Sequence, residues 1–237
     1  MVQSSSRWDA VETSDHWLAV TDYESVLERV ATAADRVGRS PEEVTIVVVS
    51  KTRTVEEILK VYQLGHRDFG ENRAQEMALK VPQLPDDIRW HFVGALQSNK
   101  VRQIRQGTHL LHSMDRLSLA RAWLKGMGVP PSVLLQVNLG DEDQKSGVGP
   151  GDVAEVLGQM VDLGLQVRGL MAIPPIPEDA ENSRPHFCKL REIMESIPAR
   201  LPSFSELSMG MTDDFEVAIE EGASIIRVGR AIFGPRI

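Results

Sequence analysis

Short apolar runs rich in β-branched residues recur along this chain, and between neighbouring runs lies a longer stretch whose apolar residues return at helical spacing. Strand and helix therefore alternate, the pattern of βα units building a parallel sheet. The runs read as strands are Val44–Ser50, Arg67–Phe69, Ile88–Val93, His109–Ser113, Ser132–Asn138, Gln166–Ala172, Ser205–Ser208 and Ser224–Val228. Each is short and apolar enough to be covered on both faces. A leading helix is read over Trp17–Val37, closed by Gly38 and Pro41. The connecting helices are read over Val55–Leu64, Asn72–Lys80, Asn99–Gln106, from an N-cap at Asp115 to Lys125, Asp152–Leu163, Ala180–Ser196 and Asp213–Glu221. Eight such units predict an α/β fold, a single closed (β/α)8 barrel of the TIM type. An open doubly wound sheet is the runner-up, but no G-x-G-x-x-G follows the first strand to mark a dinucleotide site.

Composition narrows the partners. Barrels of this kind often run to roughly 200–250 residues as one unit, and this chain has 237, with no linker or low-complexity block to divide it. We read a polar tail over residues 1–15 and one domain over residues 16–237. A formal charge of −8 argues against a nucleic-acid backbone or an anionic membrane as partner. No apolar run approaches the ~20 residues of a spanning helix, and the polar N-terminus is no secretory signal. The one cysteine, Cys188, allows no intrachain disulfide and no multi-thiolate zinc site, and it fits a reducing cytoplasm.

In a barrel, function sits at the C-terminal ends of the strands. Lys51 closes the first run, where a desolvated amine has a lowered pKa and can attack an aldehyde. Position alone leaves open a rim lysine with its ammonium in water. Ser208-Met209-Gly210-Met211-Thr212 follows the seventh run, and Arg227-Val228-Gly229-Arg230 ends the eighth. Loops there commonly bind phosphate with hydroxyl and backbone N–H donors, yet each residue taken singly also suits a turn, a cap or a strand end. His109 and His112 are expected on opposite faces of their strand, which speaks against a shared metal. Lys100, Arg102 and Arg105 read as a solvated basic stripe. The charged loop 141–147, with Lys145, reads as solvated and mobile.

Further blocks surround these residues: Phe69-Gly70-Glu71-Asn72, Trp90-His91-Phe92-Val93-Gly94, His112-Ser113-Met114-Asp115, Gln136-Val137-Asn138, Arg168-Gly169-Leu170-Met171 and Leu207 through Asp214. With them the chain resembles the pyridoxal phosphate homeostasis proteins, relatives of the N-terminal barrel of alanine racemase, from about Tyr23 to Gly234. The resemblance implies that Lys51 holds pyridoxal 5′-phosphate (PLP) as a Schiff base. It also implies that Ser208, Gly210, Thr212 and the backbone at Gly229 and Arg230 hold the phosphate, with Arg227 beside the ring or phosphate, and that Asn72, His91 and Met171 line the pocket. Arg230 stands where a small Ser or Thr is expected, and Thr212 where Ser is commoner. The implied function is buffering or delivery of PLP, by a monomer, to PLP-dependent apo-enzymes. The alternative is a small PLP-dependent racemase or other amino-acid enzyme. A racemase needs a second acid/base facing the lysine. The only tyrosines, Tyr23 and Tyr62, fall on helices away from the strand ends, and no β-rich domain follows Ile237 to supply another. No catalytic residue and no metal are assigned.

Overall fold

The computed structural model describes residues 14–140, 146–197 and 203–234. Helix α1 (Ser14–Arg36) leads the chain and stops at Gly38, whose φ of 68° a side chain would resist. Eight strands follow: β1 (Thr45–Val49), β2 (Asp68–Glu71), β3 (Arg89–Phe92), β4 (Leu110–Met114), β5 (Ser132–Gln136), β6 (Val167–Met171), β7 (Glu206–Ser208) and β8 (Ile225–Val228). Between them run α2 (Val55–Gln63), α3 (Ala74–Lys80), the short α4 (Val101–Ile104), α5 (Leu117–Leu124), α6 (Val153–Asp162), α7 (Arg184–Ser196) and α8 (Phe215–Glu220), and α9 (Arg230–Phe233) follows β8. Neighbouring strands pair parallel in chain order. β8 returns to pair with β1 in the register Thr45↔Ile225, so the sheet closes into a barrel as expected.

Side-chain alternation sorts the strands' residues into two cores. Ile46 and Val48, Trp90 and Phe92, Val133 and Leu135, Leu170, and Ile226 and Val228 point outward into the large shell shared with the helices. Val47, Val93, Leu110, Leu134, Met171 and Ile225 point inward and form a separate cluster that fills the barrel. Each such buried side chain contributes roughly 1.5–3 kcal/mol. Helix α1 is tied to this frame at α8, through Arg29 to Glu216 at 2.6 Å and Arg36 to Glu220 at 3.1 Å.

Three expectations fail for identifiable reasons. Asp115 is not a cap: α5 is preceded by Arg116, which makes no capping bond and instead pairs with Asp115. Arg105 is not part of a solvated stripe. It is buried and donates to the carbonyls of Trp123 at 2.7 Å, Met127 at 2.7 Å and Gly128 at 3.1 Å, satisfying acceptors at and after the end of α5. His109 and His112 do not diverge, because His109 precedes β4 and escapes its alternation. Both rings sit edge-on to His91, with centroids 5.5 and 5.2 Å away. The leading helix also starts three residues earlier than read, at Ser14, while residues 1–13 of the tail lie outside the described residues. No helix among the described residues is long and apolar enough to cross a membrane.

Candidate functional site

The C-terminal ends of the strands surround a cavity of about 920 Å³. Val49 and Lys51 line it from the end of β1, Asn72 from the end of β2, Gln136 and Asn138 from the end of β5, Thr212 from the loop after β7, and Arg227, Gly229 and Arg230 from the end of β8. Ile173 and Ile176 form an exposed apolar lip after β6.

Lys51 stands on a braced turn. The Ser50 amide donates to Gly70 O at 2.9 Å, and the Arg53 amide returns to Ser50 O at 3.0 Å. The next residue, Thr52, has φ 64°, a left-handed conformation that a β-branched residue adopts at a cost of about 1–2 kcal/mol. Its amide is held by Glu76 Oε2 at 2.8 Å. Behind the turn, Lys80 Nζ donates to Ser50 O at 2.9 Å and to Glu71 Oε1 at 2.6 Å, and Ser50 Oγ donates to the same carboxylate oxygen at 2.8 Å. Burial pushes the Glu71 carboxyl above its ordinary range, while Lys80 and Ser50 pull against that rise. Beside it, Asn72 Oδ1 is buried with no partner among the described residues, an unused acceptor on a residue of the cavity wall.

On the side of β7 and β8, Arg227 is buried yet reaches the wall. Its Nη2 donates to Ala172 O at 2.9 Å and its Nη1 to Ser208 Oγ at 2.5 Å. Burial draws its pKa down to about 10, with Asp214 opposing, so it remains a cation at neutral pH. Asp214 accepts from the Met211 amide at 2.7 Å and from Ser183 Oγ at 2.7 Å, which fixes the loop carrying Thr212. Gly210 turns that loop at φ 88°, where a Cβ would lie 2.5 Å from the Ala218 side chain. At the rim the guanidinium of Arg230 pairs with Asp213. Cations, a hydroxyl and a turn of backbone thus face one space, a donor set suited to an anion.

The chain matches the family described as alanine racemase, N-terminal domain, over residues 21–236. It is 42% identical over 217 residues to the pyridoxal phosphate homeostasis protein of Aquifex aeolicus, covering 89% of this chain and 95% of that one. This chain belongs to the pyridoxal phosphate homeostasis protein family. A second member, from Pseudomonas aeruginosa, is 41% identical over 218 residues, with coverage of 89% and 93%. Among solved structures, PipY of Synechococcus elongatus without PLP superposes with a TM-score of 0.77 at 36% identity, over 88% of this chain and all of that one. Its form with PLP bound gives 0.74 at 35%.

Within this family member, six of the residues singled out in the sequence face the cavity: Lys51, Asn72, Thr212, Arg227, Gly229 and Arg230. Four lie behind its wall. Met171 belongs to the inner apolar cluster, Gly210 makes the turn described above, and His91 and Ser208 are buried in the barrel. Tyr23 and Tyr62 are engaged elsewhere, with His66 Nδ1 at 3.0 Å and Asp87 Oδ1 at 2.8 Å. Lys145 lies outside the described residues. Gln136 and Asn138 escaped selection as site residues, although they end the fifth predicted strand at the active end of the barrel. The Glu71–Lys80 brace gave no linear signal, since Lys80 reaches Ser50, 30 residues earlier in the chain, only once α3 has packed against β2.

Proposed function

We propose that this protein binds pyridoxal 5′-phosphate as a Schiff base on Lys51 and acts in the cytoplasm as a monomeric carrier that buffers the cofactor or delivers it to apo-enzymes. The observation that carries this reading is that the Lys51 turn and the donors of Thr212, Arg227, Gly229 and Arg230 share one cavity at the active end of the barrel. The bound cofactor supplies an aldehyde that condenses with a primary amine, losing water, and the condensation is reversible. Lys51 provides the amine. Asn72, with its unused oxygen, is a partner for a polar ring substituent. Thr212 and the backbone at Gly229 and Arg230 hold the phosphate, and Arg227 places a cation against the ligand.

Two further points support a carrier. A family relative has been solved with PLP bound, and neither tyrosine of this chain reaches the cavity to act opposite Lys51. The test is the absorption spectrum of the full-length protein mixed with PLP, followed by borohydride reduction and peptide mapping. The label is expected on the Lys51 peptide, with the yellow colour absent from Lys51→Ala. A label chiefly on Lys100 or Lys145, or an unchanged spectrum in Lys51→Ala, overturns the assignment. Loaded protein is expected to restore activity to a PLP-dependent apo-enzyme and to scatter light as one chain.

A further inference from the structure

A line of polar side chains crosses the barrel, and charge sets the direction of its hydrogen bonds. Arg227 can only donate, so the Ser208 oxygen, 2.5 Å from Nη1, accepts from it. Ser208 Oγ lies 2.8 Å from His112 Nδ1, His112 Nε2 lies 2.9 Å from His91 Nδ1, and His91 Nε2 lies 3.1 Å from Asp68 Oδ1. Asp68 opens β2 at the end of the barrel remote from the cavity. There Arg89 donates to both of its oxygens, through Nε to Oδ1 at 2.7 Å and through Nη2 to Oδ2.

Burial works to raise the Asp68 carboxyl, but the bonds from His91 and Arg89 outweigh it and hold the group well below its usual range. Asp68 is therefore an ionised, acceptor-only terminus. His91 must then carry its proton on Nε2. A neutral imidazole has one donor, so His91 Nδ1 accepts from His112 Nε2–H, and His112 Nδ1 accepts the hydroxyl proton of Ser208. The reverse order for these two rings requires an imidazolium at His91. That cation would face Arg89, Arg168, His109 and His112, with Asp68 as the anion it bonds and Glu206 paired to Arg168, and His112 faces His91, His109, Arg168 and Arg227. Burial first, with these cations adding to it and Asp68 opposing at His91, keeps both histidines below their ordinary value and hence neutral at pH 7 and above.

We propose that Asp68 is a positioning residue for the cavity: acting through neutral His91 and His112, it commits the Ser208 proton away from the ligand, so that Ser208 serves as the acceptor that holds Arg227 at the wall. Ser208 then influences a bound anion through the guanidinium rather than by donating to it. Its complete burial and its place behind the wall agree with this.

The effect on ligand binding rests on the PLP reading above, whereas the proton order does not, and the experiment separates the two. Long-range proton–nitrogen spectra of the ligand-free, full-length protein between pH 7 and 8 are expected to show His91 and His112 as neutral Nε2–H tautomers. A proton on His112 Nδ1, or a charged His91, overturns the proposal without any ligand present. In PLP titrations, Asp68→Asn and His112→Leu are expected to weaken binding about tenfold and to shift the absorption maximum of the loaded protein, with Lys51 still the labelled residue. His112→Gln, whose amide keeps one donor and one acceptor, is expected to stay within about twofold of wild type. Wild-type affinity and spectrum in folded Asp68→Asn and His112→Leu overturn the positioning role. Failure of the wild type to bind PLP overturns the function and leaves the proton order to the spectra.

Discussion

Glu71 is a fully buried carboxylate whose one paired oxygen carries both Lys80 and Ser50. Removing the cation leaves that charge uncompensated, so Lys80→Met is expected to cost about 3–5 kcal/mol in urea unfolding. Pairing it with Glu71→Leu removes the stranded charge and should recover more than half of the loss. A double variant as unstable as the single one would mean that Lys80 acts through Ser50 O alone. Lys51, the residue the pair supports, was legible in the sequence because an apolar run that stops at a lysine places that lysine at a strand end. The Asp68–Ser208 line was not legible. Its members come from β2, β3, β4 and β7 and meet only across a closed barrel; in linear order His91 is assigned to the pocket by resemblance and His112 is weighed only with His109 as a metal pair.

Loops between elements carry much of the stability that helix and strand patterns hide. Arg105 bonds three carbonyls around the end of α5. Arg105→Ala is expected to cost about 2–4 kcal/mol, with faster amide exchange concentrated in residues 123–128. A uniform rise in exchange across the chain would argue against a local role. Gly94 presents a sharper constraint, since a Cβ there would lie 2.1 Å from the backbone oxygen of Asn72. Gly94→Ala should therefore displace Asn72, costing about 1–3 kcal/mol and weakening PLP binding. Gly158, inside α6, has open space around it. Gly158→Ala is expected to raise stability by about 0.5–1 kcal/mol with binding unchanged. Element boundaries fell within a few residues of their expected places because glycine, proline or a polar break follows most apolar runs. Two exceptions in spacing have no local marker: one extra residue between Leu111 and Met114 of β4 against Val133 and Leu135 of β5, and one between Val167 and Gly169 of β6 against Val133 and Leu134 of β5.

At the scale of the whole molecule, buried neutral imidazoles tie stability to pH. Burial holds His66, His91 and His112 below their ordinary value. The unfolded chain, whose imidazoles titrate near 6.5, takes up protons that the folded chain refuses. Stability is accordingly complete above about pH 6.5 and falls below it, by about 1.4 kcal/mol per pH unit for each histidine that stays neutral in the fold. Asp68, held below its usual range, adds a further loss once the pH drops under the unfolded carboxyl value of about 4. Urea midpoints should hold from pH 8 to about 6.5 and fall from there to pH 5, and His112→Gln should flatten that fall by the share of one group. A midpoint constant over that interval would contradict the neutral state of these rings.

Closure of the sheet through β1 and β8 also bears on how the protein is made. Lys51 follows the first strand to leave the ribosome, while Arg227 and Gly229 arrive with the last. Until β8 docks, the first strand has one edge unpaired, and Lys51 lacks the Arg227 and Gly229 side of the cavity. On the proposed reading, a nascent chain can therefore present Lys51 to solvent, but it gains the wall that would retain a phosphorylated aldehyde only when β8 docks against β1.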